Sequence, residues 1–460
     1  MSTAVAEIAE QGGSLSGIRL RGGPALAVAA AVVALGIRFF LIISKNSVNV
    51  FFYDQWEYLT PFFRQPPGFT ELFFLQHGPH REGIGLFADK FLYPLTHWNA
   101  RVDSFIVGGS IFAAMLLALW LKYKLFGRLA YSDISIPLIF LTLQQSEIVV
   151  GAANPGTAGL PLLMIMLYCL ALLGRNRLLK YAILLALNFL LIYTGYGLFM
   201  GVVTVGVFLL ECDWSWRGIT SASFASACAA LVLAAASLAS YFVHYTFSSG
   251  VDCFEIPHDR WLQYPRFSAL MFSGFVVPRP LHVSWEMTAL GTALLVISVA
   301  VLGWYLCHVM HNASCPGALV GAVLLSYSLM FCATAPIGRL CLGLQAALES
   351  RYVTLMIPAF LAIYFYLLSK AGGGRRNVVF SLWVLLLMPA TVLKPWEEVR
   401  WYSDGKRDWA KCYVRTENIE FCDRTTNFFL HTPVGETGLR EKLDYLKQHH
   451  LNLFSGVKPQ

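Results

Sequence analysis

Runs of about 18 to 25 consecutive apolar residues recur along this chain, each long enough to cross the roughly 30 Å hydrocarbon core of a bilayer as a helix. A soluble domain can hide one such run in its core. A chain with many of them folds in lipid, where every backbone polar group must be bonded within a helix or a closed barrel. We read about eleven spans, at 24–44, 103–121, 134–150, 157–174, 179–194, 196–211, 219–246, 285–307, 316–336, 353–369 and 378–396. The fold class expected is therefore an all-α polytopic membrane protein. Composition agrees: 57% of the 460 residues are hydrophobic and 13% charged, where soluble domains average about 25% charged.

In such a chain the net charge of +7 is no argument for nucleic acid, and the distribution of basic residues between loops matters more. With the N-terminus inside, cytoplasmic segments hold Arg19, Arg21, Lys122, Lys124, Arg128, Arg175, Arg177, Lys180, Arg217, Lys370, Arg375 and Arg376, while the short outer loops hold Arg260, Arg266, Arg279, Arg339 and Arg351. This bias predicts a cytoplasmic N-terminal segment 1–23, a transmembrane domain 24–396 and a small outer C-terminal domain 397–460. Arg38 interrupts the first run and no small-residue cleavage site precedes Lys45, so that run reads as an uncleaved anchor. No internal repeat of 20–50 residues is visible, which weighs against a transporter built from matching halves.

The first outer loop, 45–102, is too polar to span and too apolar to float free. "DQWEYLTPFF" (54–63) and "GLFADKFLYPLTHW" (85–98) read as amphipathic helices lying on the membrane surface. Asp54 stands at the head of the first. It either caps that helix or, at an apolar boundary, serves as a general base towards an acceptor hydroxyl. Glu57, one turn on, is a solvated residue or a partner for a cation. The turn "QHGPHREG" (76–83) gathers His77, His80 and Arg81, a cluster suited to lipid headgroups in general or to one specific phosphate. Its Gly-Pro interruption and the lack of an obvious third ligand argue against a metal. On the same side "LQQSEIVVGAANPGT" (143–157) offers Glu147 and Asn154, and "GRLCLGLQAALESRY" (338–352) offers Arg339 and Arg351, with Glu349 beside the second. These charges either pair to hold loops together or divide the work, arginines on an anionic phosphate and carboxylates on a sugar.

Cys412 and Cys422 lie in the outer tail and are candidates for a disulfide, with Cys253 a competing partner; no CxxC suggests zinc. Asn312-Ala-Ser314 matches a glycosylation sequon but falls on the side read as cytoplasmic.

The order of these features resembles the GT-C superfamily of integral-membrane glycosyltransferases, which use polyprenyl-phosphate-linked sugars. The resemblance runs over about 24–396 and rests on an acidic residue shortly after the first span (Asp54 in "YDQWEY") followed by membrane-parallel helices. The sequence is also similar to a bacterial group with Asp-x-Trp in this loop (Asp54, Trp56), a His-x-x-His-Arg turn (His77 to Arg81) and a late Gly-Arg…Ser-Arg-Tyr stretch (Gly338-Arg339, Ser350-Arg351-Tyr352). The resemblance implies a bundle of about eleven transmembrane helices in a bacterial inner membrane, with an inverting sugar transfer at the periplasmic face. Asp54 would be the base, Arg339, Arg351, His80 and Arg81 would hold the donor phosphate, and Glu57, His77, Glu147 and Asn154 would position sugar and acceptor. The partners implied are a polyprenyl-phosphate-linked sugar, a glycan or lipid acceptor of the cell envelope, and membrane lipids. No nucleic acid, cofactor or metal is called for, and no Gly-rich phosphate loop occurs. Two departures stand out: Gln55 occupies the place where many members carry a second acidic residue, and the turn lacks the glutamate that the bacterial group often has between its histidines. A lipid or lipid-linked glycan transporter and a non-catalytic envelope-assembly scaffold are the rival readings.

Overall fold

The computed structural model describes residues 22–64, 67–212, 221–247, 258–278, 282–311, 315–370, 375–393, 396–431 and 438–455. The segment 1–21, Cys253 and the sequon at 312–314 lie outside them. Among the described residues seven helices are long and apolar enough to cross a membrane: Gly23–Asn46, Ala100–Phe126, Ala222–Tyr241, Trp285–His311, Pro316–Gly338, Ser350–Lys370 and one counted from Asn377, whose apolar part is the helix Arg375–Val392. Each falls on an expected span. Leu26, Val33, Val296 and Leu382 are exposed on these helices, the outward face a lipid solvent requires.

The other four expected spans are short or broken. Gly159–Ala171, Arg177–Ile192 and Leu198–Glu211 have 13, 16 and 14 residues, about 20 to 24 Å of helix. The stretch 134–150 breaks into the helix Ser135–Phe140, a 3-10 turn Leu143–Gln145 and a π-helical turn Glu147–Gly151. Gln145 drives the break locally: its side-chain amide donates to the carbonyls of Phe140 (2.7 Å) and Thr142 (3.0 Å), replacing helix bonds that are lost. The segment is almost wholly buried, and irregular backbone at membrane depth is tolerated only inside protein.

The bundle is cross-linked near both ends. Lys122 and Asp133 form a buried ion pair at 2.6 Å, and the Tyr364 hydroxyl donates to the same carboxylate. Towards the other end Arg38 donates to the carbonyls of Thr391 and Val392, where a helix C-terminus carries partial negative charge.

Beyond that second end the first loop and the tail interlock. The first amphipathic segment is the short helix Gln55–Tyr58 and a 3-10 turn Thr60–Phe63; the second is the helix Gly83–Thr96. Between them lie a helix Phe69–Phe74, absent from the sequence reading, and a hairpin of two-residue strands, Gln76–His77 and His80–Arg81. The tail folds as helices Trp396–Thr416, Ile419–Thr426 and Leu439–Gln448. It is tied to the loop by Arg407 to the Lys45 carbonyl (2.7 Å), by Asn49 to the Asn452 carbonyl (2.8 Å) and by Asn452 to the Trp98 carbonyl (2.7 Å). Cys412 and Cys422 form a disulfide, Cα atoms 5.6 Å apart, joining the first two tail helices.

Candidate functional site

The chain turns sharply at Tyr53, whose φ of 50° is unusual for a bulky residue, and whose N–H is held by the Leu430 carbonyl of the tail at 2.7 Å. Backbone strain of this kind gathers at functional sites, and the next residue is Asp54. Its neighbours are buried and bonded. Gln55 accepts from the Phe52 N–H (3.0 Å) and donates to the Ala153 carbonyl (2.8 Å), and Trp56 donates to the Phe51 carbonyl (3.1 Å). Gln55 is thus a brace, which gives its amide a structural reason at a position where a carboxylate would lack the donor. Asp54 itself is exposed; it precedes the helix without capping it, and its carboxylate has no hydrogen bond or ion pair among the described residues.

Gly78, at φ 56°, and Pro79 form the tip of the hairpin and set His77 opposite His80. The two imidazoles are driven apart in protonation. His77 Nε2 lies 3.3 Å from Glu57 and Nδ1 3.9 Å from Glu82. Burial opposes its charge, but hydrogen bonds to Glu57 and Glu82 outweigh burial and raise its pKa to about 10. His80 stacks edge-on against Tyr196 at 4.6 Å, and burial, with the charges of Arg339 and His77, lowers its pKa to about 3. At neutral pH the hairpin presents one imidazolium and one neutral imidazole. His80 therefore brings a neutral ring rather than a positive charge to the site.

Arg81 points away. Its guanidinium is buried and donates to the carbonyls of Tyr241 (2.7 Å), Val243 (2.5 Å) and Phe74, fastening the hairpin to the end of the helix Ala222–Tyr241. This sets it apart from the cations expected to hold a donor phosphate, because a guanidinium spent on buried carbonyls is a structural tie.

Glu82 stands in the turn read from the sequence, where the sequence alone assigns it no role of its own. It is buried, accepts from the Asn154 side-chain amide at 2.7 Å and faces His77. Its place depends on two glycines: a Cβ on Gly85 would come 2.9 Å from the Gly156 Cα, so the helix start and the 154–157 turn touch backbone to backbone. The signal in the sequence was a glutamate directly after His80-Arg81.

Glu147 and Arg351 meet on the third wall. Arg351 grips Glu349 with Nε at 2.6 Å and a terminal nitrogen at 2.5 Å, and its Nε lies 3.7 Å from Glu147. Two carboxylates already balance Arg351, so of the expected phosphate-binding set Arg339 alone keeps an unspent charge. It follows the turn Ala335–Gly338, is partly buried, and has no side-chain hydrogen bond or ion pair among the described residues. Its charge acts on His80, Tyr196 and Tyr352, and that of Asp54 acts on His77, Glu147 and Tyr196. Tyr196 thus feels the charges of both Arg339 and Asp54, together with those of Arg351 and Glu82.

The tail completes the frame. Glu398 accepts from Ser146 (2.6 Å) and Ser350 (2.9 Å), tying the Glu147 turn to the Arg351 turn. Lys406 donates to the carbonyls of Val150 (3.1 Å) and Gly151, and Lys442 to the Trp56 carbonyl (2.5 Å) and Thr60 hydroxyl (2.9 Å). Burial lowers the Lys442 pKa to about 8. Among the described residues no three His, Cys, Asp or Glu side chains are grouped to hold a metal ion. Comparison with protein-family models, with curated proteins and with solved structures found no match to this chain.

Proposed function

We propose that this chain is an inverting membrane glycosyltransferase of the GT-C kind, moving a sugar from a polyprenyl-phosphate donor to an envelope glycan or lipid. One observation carries the reading: in a cluster where Glu57 and Glu82 serve His77, and Glu147 and Glu349 serve Arg351, the Asp54 carboxylate and the Arg339 guanidinium have no hydrogen bond or ion pair among the described residues. Sugar transfer from a lipid phosphate needs one group of each kind. The acceptor oxygen attacks the anomeric carbon, its proton passes to Asp54, the bond from that carbon to the phosphate oxygen breaks, and the polyprenyl phosphate leaves with its charge opposite Arg339. His77 and Asn154, both held by Glu82, line the approach for sugar hydroxyls.

The face concerned is the outer one, in a bacterial inner membrane with the N-terminus inside and the C-terminus outside. The Cys412–Cys422 disulfide and a further disulfide at Cys341 favour an oxidising compartment for it, and the basic bias between loops favours the opposite face as cytoplasmic. The helix Gly83–Thr96 leaves Phe87, Phe91 and Leu95 exposed, an apolar side suited to lie on the bilayer where a lipid donor arrives.

The test is transfer of labelled sugar from a panel of polyprenyl-phosphate donors to membrane extract from the source cell. Transfer from one donor that is lost in a folded Asp54→Asn protein supports the reading; equal behaviour of the two proteins, or no transfer from any donor, removes it. A second reading, a proton-coupled lipid transporter, draws on Asp89 and Asp103. Each is buried, bonded by one tyrosine hydroxyl (Tyr58 at 2.8 Å, Tyr93 at 3.1 Å) and left with one unpartnered oxygen, and buried carboxylates mark proton paths in many pumps. Lipid uptake into vesicles driven by a pH gradient is its test.

A further inference from the structure

The outward face of the helix Trp396–Thr416 and the chain at 425–428 enclose an open groove of about 710 Å³. Glu397, Arg400, Asp404, Asp408, Lys411 and Arg415 line it, at intervals of three or four that place them along one side of the helix. Over that length the groove extends about 27 Å.

Its chemistry narrows what it can hold. Those six residues are three acids and three bases, so the groove has no net field to draw a polyanion such as nucleic acid. Nor is it the apolar cavity that takes a hydrophobic small molecule. Its aromatic surface is Trp401, 47% exposed although three of its neighbours are aromatic: Phe428 at 4.9 Å, Tyr402 at 5.0 Å and Phe52 at 5.9 Å between ring centres. Those contacts fix the indole while part of it stays open to the groove. A rigid indole beside carboxylate, guanidinium and amide groups matches a polyhydroxylated chain, since a sugar ring has one C–H face to lay on the indole and hydroxyls at its rim to bond.

The wall also connects with the candidate site. Phe52 stacks on Phe428 at 5.2 Å and precedes Asp54 by two residues, so the rings that build the groove also position the turn carrying the carboxylate.

We propose that this groove is the acceptor subsite, binding a neutral or weakly charged oligosaccharide across Trp401 and directing its end past Phe52 towards Asp54. The catalytic half of this statement rests on the transfer reading above; binding to the groove does not. The experiment uses the full chain in glycoside-free lipid nanodiscs, and the probe is the neutral oligosaccharide pool released from the source cell's envelope by mild acid. Saturation-transfer NMR, without any donor present, reads binding. The wild type gives transfer to sugar C–H protons, Trp401→Ala weakens binding at least about tenfold, and Asp408→Asn, a change at a 62% exposed side chain, weakens it about threefold without touching the aromatic cluster. No signal from the wild type, or equal signal from it and both variants, overturns the proposal. Glycan binding together with absence of sugar transfer from every donor would remove the transfer reading and leave the groove standing.

Discussion

Replacing Glu82 by Gln removes one of the two carboxylates that keep His77 charged while preserving the size of the side chain. The His77 pKa stands at about 10 against an ordinary 6.5, and at about 1.4 kcal/mol per unit the difference is on the order of 5 kcal/mol. Glu57 is 39% exposed and therefore partly screened by water, whereas Glu82 is 5% exposed; discounting the Glu57 share leaves Glu82 roughly 1 to 3 kcal/mol. Because the folded pKa is raised, this stabilisation is fully present below pH 6.5 and is lost as pH rises towards 10. The penalty of Glu82→Gln is accordingly largest near pH 6 and shrinks by pH 10 to what weakening of the Asn154 bond costs, at most about 1 kcal/mol, because the glutamine carbonyl can still accept from that amide. Denaturation of both proteins in nanodiscs from pH 6 to 10, with a carbon-13 histidine titration in which His77→Gln assigns the signal, measures it. The His77 midpoint falls by at least about one unit in the variant. A stability gap that stays constant across the range, or an unmoved midpoint, would refute the paired-carboxylate account.

Asp133→Asn leaves the Lys122 ammonium buried without its counter-charge and destabilises the protein by about 3–5 kcal/mol in the same denaturation assay; a change below 1 kcal/mol would show the pair to be dispensable. Gly85→Ala pushes a methyl group against the Gly156 backbone, costing about 1–3 kcal/mol, and separates Glu82 from Asn154; an unchanged melting temperature would contradict that close approach. Arg351→Ala exposes Glu147 and Glu349 to each other and lowers stability about 2–4 kcal/mol, while Arg339→Ala, with no ion pair to lose, changes the melting temperature by less than about 2 °C. Cys412 and Cys422 resist maleimide labelling until a reductant is added; labelling without it would deny the disulfide.

The spans were legible where a helix is long and apolar, since hydropathy alone places 24–44 or 285–307. It failed at 134–150 because an apolar run does not reveal that the Gln145 amide will take over the carbonyls of Phe140 and Thr142. Glu57 was legible as a partner for a cation but not which one, His77 lying 20 residues on, and the sequence resemblance pointed at Asp54. What stayed hidden were contacts between residues 48 to 386 positions apart: Glu398 to Ser146 and Ser350, Lys442 to Trp56, and Arg81 to the carbonyls of Tyr241 and Val243. Residue type cannot tell an arginine facing a ligand from one tied to buried carbonyls. Arg81, Arg339 and Arg351 read alike in sequence, and only their surroundings separate a brace, an unspent cation and a neutralised one.

The most direct test of the central claim is a single-turnover measurement with the donor found in the panel, comparing Asp54→Asn and Arg339→Ala with the wild type. If these are the two unspent charges of a transferase, Asp54→Asn slows the chemical step by about 10²–10⁴ with donor affinity little changed, whereas Arg339→Ala weakens donor binding as well as the rate. Wild-type rate and affinity in both variants would contradict the account, because the two groups that the rest of the cluster leaves free would then have no part in the chemistry.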